Sequence, residues 1–178
     1  MYKKIIEFWF KELEPSKWWV KDLDFDAMIS ERFSHEHHQA ANCELYDWRQ
    51  TSQGALAEII ILDQFSRNMF RDTARSFAYD SQALSLSQSA IASGLDEELS
   101  IEMKSFLYMP FMHSESIIIH QEASKLFAQL GVQSTIEFEK KHKEIIEKFG
   151  RYPHRNEILG RESTREEKAF LKLAGSSF

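Results

Sequence analysis

The sequence is poor in the residues that punctuate β-rich and disulfide-stapled folds. One cysteine, Cys43, in 178 residues excludes an internal disulfide and gives no metal-ligand spacing, which points to a reducing, cytoplasmic setting. Six glycines and three prolines leave little room for a turn-rich β-sandwich. No run approaches the roughly 20 apolar residues needed to span a bilayer. Met1-Tyr2-Lys3-Lys4 leads into a short amphipathic stretch containing Glu7, not into a signal peptide's apolar core, so no membrane partner is expected. Lysine and arginine total 22 against 28 acidic residues, and the net charge of −6 argues against general nucleic-acid binding. A P-loop, a dinucleotide glycine motif and a nucleophile elbow are all missing, so the sequence names no cofactor.

What is present is apolar and aromatic. Hydrophobic residues make up 43% of the chain, with fourteen phenylalanines. This suits one domain, 1–178, able to bury about 70% of its unfolded surface. The most apolar run, Leu56 to Leu62, leads directly into Asp63-Gln64-Phe65-Ser66-Arg67-Asn68-Met69-Phe70-Arg71. At about 100° per residue, Asp63, Gln64, Arg67, Asn68 and Arg71 share one stripe that continues the line of Leu56 and Ile60. A stripe passing from isoleucine to arginine on one line should face an enclosed space.

Taken in order, the chain reads as helices. A first amphipathic helix over 2–11 is stopped by Glu14-Pro15, and Trp18-Trp19 forms an apolar turn beneath it. Asp24 or a neighbouring Asp caps a helix to about Cys43, whose far end carries His35, His37 and His38 on a solvated face. Thr51 or Ser52 opens the central helix. A helix over about 77–93 ends at Gly94, and Ser100 caps the next, which Pro110 should bend or end. Helices from about Ser116 to Gly131 and over about 135–149 follow, the second stopped by Gly150. Ser163 or Thr164 with Glu166 or Glu167 three residues on makes a capping box for a last helix to about Leu173, and 175–178 is a tail. No β-alternating run survives. About eight helices with short connections give an all-α fold of antiparallel pairs. Trp18, Trp19 and Trp48 are expected in the core, with a self-association surface as the alternative.

Three stretches gather polar chemistry: Asp63–Arg71, His113-Ser114-Glu115 after Pro110, and Arg151 to Arg161. All lie at helix ends or breaks, where sites form on rigid scaffolds. The segments Asp63-Gln64-Phe65-x-Arg67-Asn68-x-Phe70-Arg71, Ala78-x-Asp80, His113-Ser114-Glu115, Phe149-Gly150-Arg151-x-Pro153-His154-Arg155-Asn156 and Leu159-Gly160-Arg161 resemble the signature of a bacterial family, domain-of-unknown-function family 924. Phe8-Trp9-Phe10 and Trp18-Trp19 fit it as well. Ser66 departs from the pattern, which has proline after Asp-Gln-Phe, and this should affect only the local backbone. The resemblance implies a tetratricopeptide-like, right-handed stack of helix pairs with a concave face. It carries over no activity.

Function therefore rests on the residues. Guanidinium forks match carboxylate and phosphate oxygens. Arg67, Arg71, Arg151 and Arg155 brought together would bind a phosphate- or carboxylate-bearing metabolite, with Gln64, Asn68 and Asn156 as neutral donors and Asp63 steadying Arg67 from i−4. His113 or His154 would act as general acid or base, tuned by Glu115. An interaction module that takes an acidic peptide is the alternative. A third arrangement is a buried polar network that locks the helices and binds nothing. His113, Glu115, His142 and His154 could form a metal shell, but the arginines nearby oppose a dication, so no metal is expected.

Overall fold

The computed structural model describes residues 1–176, so Ser177 and Phe178 of the expected tail lie outside the described residues. Helices fill the chain, and no strand occurs among the described residues. They are α1 (Tyr2–Glu7), α2 (Leu23–Ala41), α3 (Ser52–Ile60), α4 (Ser66–Met69), α5 (Asp80–Ala92), α6 (Ile101–Met112), α7 (Ile117–Leu130), α8 (Gln133–Phe149) and α9 (Arg165–Phe170). Because α3, the π-helical turn Ile61–Phe65 and α4 form one continuous rod, the expected count of about eight holds among the described residues.

The start and stop signals act where local chemistry places them. Asp22 caps α2 by accepting from the N–H groups of Asp24 and Phe25, and Thr51 caps α3 by accepting from Gly54 N–H. Gly131 (φ 74°) and Gly150 (φ 66°) close α7 and α8 in the left-handed region that favours glycine. The capping box is Thr164 with Glu167. Pro110 departs from expectation. The helix does not stop there but runs on to Met112, because a proline in the last turn forfeits only one backbone bond.

By compactness the chain divides into two units, one of residues 1–71 and 75–110, the other of 72–74 and 111–178. In the first, α3 packs on α1 and α5, while α2 lies against α4 and the π-helical turn. Ile59, Ile60, Ile61 and Leu62 are fully buried. Phe65 closes on Phe33 at 5.1 Å, Trp9 at 5.6 Å and Phe8 at 6.1 Å between ring centroids. Gly54 has no substitute here, since an added Cβ would sit 2.1 Å from Trp48 O. Trp18 folds under the first helix as expected, its Nε1 donating to Trp9 O at 3.0 Å. The core expectation for the tryptophans fails, however. Trp18 and Trp48 are half-buried and Trp19 is 65% exposed, because all three lie in short turns, Pro15–Trp19 and Tyr46–Gln50, neither of which has a fully buried residue. In the second unit α7 and α8, joined by a two-residue connection, pack along their lengths. Ile145, Ile146 and Tyr152 form its buried cluster, flanked by Phe149 and Phe170.

The first unit is cross-braced by Asp26. Its carboxylate, 7% exposed, accepts from Arg71 Nε and Nη2 and from Asn68 Nδ2, which ties α2 to the end of α4. Asp26→Ala strips the charge partner from Arg71, and removing one member of a buried pair costs about 3–5 kcal/mol. Arg71 keeps some solvent, so a loss of about 2–3 kcal/mol is expected from urea unfolding; a loss below about 1 kcal/mol would show that the brace is ornamental.

Candidate functional site

The Asp63–Arg71 stretch is not the straight stripe that a uniform 100° turn implies. Ile61–Phe65 is π-helical, and the wider turn rotates the residues around it out of register. Arg67 consequently lies between two carboxylates. Its Nη1 reaches Asp63 Oδ1 at 3.1 Å and Asp63 O at 2.6 Å, and its Nη2 reaches Asp80 Oδ2 at 3.0 Å. Gln64 donates to Asp63 and to Met109 Sδ, while Asn68 and Arg71 turn to Asp26. The expected i−4 support of Arg67 by Asp63 is present, and the basic side chains of this stretch are matched by carboxylates of their own unit.

Two corrections belong to the same unit. The histidines at the end of α2 do not share a solvated face: His35 and His38 are exposed, but His37 is buried between Phe70 and Tyr79, with ring centroids at 5.1 and 5.0 Å. Its Nε2 meets Ser66 Oγ at 2.8 Å. Ser66 therefore does more than shape backbone, since its hydroxyl partners a buried imidazole. Burial, aided by the charges of Arg75 and His38, pushes the His37 pKa down to about 4.

The other two stretches do meet, inside the second unit. Glu115 accepts from Arg161 Nη1 and Nη2 at 2.6 and 2.9 Å, and from Tyr152 N–H at 2.7 Å. Arg155 Nη2 donates to His113 O at 3.1 Å. Arg151 forks onto Glu167 at 2.7 and 2.9 Å, and the fully buried Asn156 accepts from Arg161 Nε and donates to Ser163 Oγ. Burial would raise the Glu115 pKa, but the Arg161 fork, the Tyr152 N–H and the charge of Arg155 outweigh it and hold it below the usual carboxylate value. With both oxygens engaged, Glu115 links the two stretches and is a poor proton acceptor. Arg151 holds Glu167 down at about 2, against the pull of burial and with help from Thr164 N–H and Asn156.

Around Tyr152 the side chains are imidazoles. The rings of His142, His154 and His120 lie 5.7, 5.5 and 6.3 Å from its ring, and the Arg155 guanidinium sits 4.6 Å above it. His142 Nδ1 donates to Phe138 O at 2.8 Å. Burial drives its pKa down to about 3, against that hydrogen bond and with help from His113, His120 and His154. His113 and His154, the expected acid–base pair, are half-buried and keep access to solvent. No three side chains among the described residues take up a metal-ligating arrangement. A surface groove of about 660 Å³ in this unit is lined instead by Glu162, Ser163, Thr164, Arg165, Lys168, Ala169 and Lys172.

The sequence matches the family model of bacterial proteins of unknown function designated DUF924 over residues 5–175. The chain belongs to this family. A solved structure of a protein of unknown function from Agrobacterium tumefaciens, 40% identical, superposes with a TM-score of 0.92 over 96% of each chain. No curated protein sequence matches. DUF924 membership thus accounts for the ordered motifs. It leaves open why Asp26, His120, Glu139 and Tyr152, absent from the sequence-based site, hold so much of the polar structure. Asp26 lies 45 residues from Arg71 and Glu139 lies 19 from His120, separations with no periodic signal.

The depressed histidines set the acid response. Folding favours neutral His37 and His142, so their contribution is complete above the ordinary value of 6.5 and is lost as pH falls towards 4 and 3. Glu167 adds a further loss from its ordinary 4.5 towards 2. Urea-unfolding free energy should therefore begin to fall below about pH 6.5, each histidine adding up to about 1.4 kcal/mol per pH unit. His142→Gln, which can still donate to Phe138 O, should flatten this slope; an unchanged slope would contradict the assignment.

Proposed function

We propose that this protein binds a small anionic ligand, phosphate- or carboxylate-bearing, at the imidazole cluster of the second unit, with His113 or His154 available for proton transfer. One observation carries the reading: an acidic chain of net charge −6 concentrates His142, His154 and Arg155 around a single buried tyrosine, with His113 near enough to His142 for its charge to lower that pKa. Clustered titratable groups with perturbed pKa values are characteristic of sites. The partly accessible members are the two histidines whose chemistry suits a general acid or base. Arg67, Arg71, Arg151 and Arg161 serve as struts in this reading, because each is forked onto or bridged to a carboxylate. For the same reason an acidic peptide bound through those arginines is the weaker alternative, since it would have to displace their intramolecular carboxylates. Among the described residues no helix is long and apolar enough to cross a membrane. We further read the fold as a tetratricopeptide-like stack working in the cytoplasm, where the exposed free thiol of Cys43 stays reduced.

Inorganic phosphate is the simplest probe. A ligand at about 100 times its Kd stabilises by about 2.7 kcal/mol, a rise of about 5–10 °C in Tm for a chain of this size. His113→Ala with His154→Ala should abolish the rise, leaving the ligand-free Tm within a few degrees of wild type. Absence of any rise with phosphate and with dicarboxylates, or an equal rise in the double variant, would refute the reading.

A further inference from the structure

Between α7 and α8 lies a buried pair that the proposed anion site does not use. His120 is 0% exposed and Glu139 2%. Both nitrogens of the His120 ring face acceptors: Nε2 lies 2.9 Å from Ser114 O, and Nδ1 lies 3.0 Å from Glu139 Oε1. A backbone carbonyl can only accept, so Nε2 carries a hydrogen. If the ring bore no other, Nδ1 would present a bare lone pair to a carboxylate oxygen, and two acceptors at that distance repel. The contact closes only with a proton in it, on the ring or on the carboxyl group.

The surroundings give Glu139 little else. Ser124 Oγ lies 3.4 Å from Oε1 but donates to His120 O at 2.8 Å, and Lys143 Nζ reaches only Ser124 Oγ, at 3.4 Å. Glu139 Oε2 is buried with no hydrogen-bond partner among the described residues. An ionised carboxylate so placed, beside a neutral ring, would bear a large desolvation cost with nothing to offset it. On the far side Tyr152 Oη lies 3.1 Å from His120 Nε2 and donates to Met112 O, and the Tyr152 ring is the wall that His142 meets edge-on and that His154 and Arg155 lie against.

We propose that Glu139 and His120 hold one shared proton in the folded protein, and that this carboxyl–imidazole pair, continued to the Tyr152 hydroxyl, is a relay that positions Tyr152 as the wall of the imidazole cluster. Glu139 and His120 are positioning residues. The shared proton stands independently of any ligand, whereas the importance of the wall rests on the anion-site reading.

The full chain labelled with 15N-histidine, without ligand and at neutral pH, decides the proton. The expected result is an N–H at Nδ1 of His120, or else a carboxylic-acid C=O band that disappears from the infrared spectrum in Glu139→Gln. A bare Nδ1 together with no carboxylic-acid C=O band in the wild-type spectrum at neutral pH would overturn the proposal, and that outcome is read on wild type even if the Gln variant fails to fold. Positioning is read from the His142 and His154 ring signals. Glu139→Gln, whose amide can donate to a neutral Nδ1, should leave them in place, and Glu139→Leu should shift both. Identical signals in wild type, Gln and Leu variants would remove the positioning role. Phosphate titration of the same samples separates the two ideas: a proton signature without a phosphate response sinks the anion site alone, and a phosphate response without the proton signature sinks the relay alone.

Discussion

A carboxylate buried by folding must find a cation or surrender its charge, and in this protein that requirement organises the polar structure. Asp26, Glu58, Asp63 and Glu167 are each less than a tenth exposed, and each faces a guanidinium: Arg71, Arg49, Arg67 and Arg151. In every pair the short acidic side chain is the deeper member and the arginine reaches in from the rim. That division is physical. An arginine stem can lie along apolar surface and keep part of its head hydrated, whereas a carboxylate on a short stem has no such freedom. The pairs also fall between elements. Asp26 with Arg71 joins α2 to the end of α4, Arg67 joins α4 to the start of α5 through Asp80, and Glu167 fastens α9 to the segment after α8. Fixed geometry is the best-supported return on such pairs, since their net stabilisation is small once desolvation is counted.

This constraint redirects the function. Arginine-rich motifs on an acidic chain invite an anion-binding reading, because a free guanidinium is the best phosphate ligand that a protein has. Here the forks of Arg151 and Arg161 are already closed on Glu167 and Glu115, and Arg67 is shared by Asp63 and Asp80. An external anion would compete with partners held at high effective concentration. The imidazoles differ in kind. Their rings gather about Tyr152 and beside one another, and two of them, His113 and His154, are half-buried rather than enclosed.

How much of this could be read in advance depended on range. Caps, stops and helix faces are local, and Thr51, Gly94, Gly131, Gly150 and the Thr164–Glu167 box were legible because each acts within four residues of its effect. The order of the motifs likewise gave the family. Three kinds of feature were not legible. The π-helical turn at Ile61–Phe65 changes the angular increment on which any stripe is drawn, and no residue in Ile-Leu-Asp-Gln-Phe announces it. His37 looks like one of three solvated histidines until α4 and the turn before α5 bring Phe70, Tyr79 and Ser66 around it. Asp26 and Glu139 are single acidic residues on amphipathic helices, and only their distant partners distinguish them from solubilising charges.

The cluster around Tyr152 then divides into an inner and an outer part. His142 is buried, with its pKa at about 3, and so stays neutral across the physiological range. It can shape the cluster and polarise its neighbours, but it adds no positive charge to attract a guest. His120 is buried too, and its two ring nitrogens face Glu139 Oε1 and Ser114 O. The half-buried histidines, His113 and His154, adjoin the fixed parts of the cluster: the His113 carbonyl accepts from Arg155, and the His154 ring lies 5.5 Å from that of Tyr152. The proposed acid–base role depends on that division, because groups that move charge must be fixed in place by groups that do not.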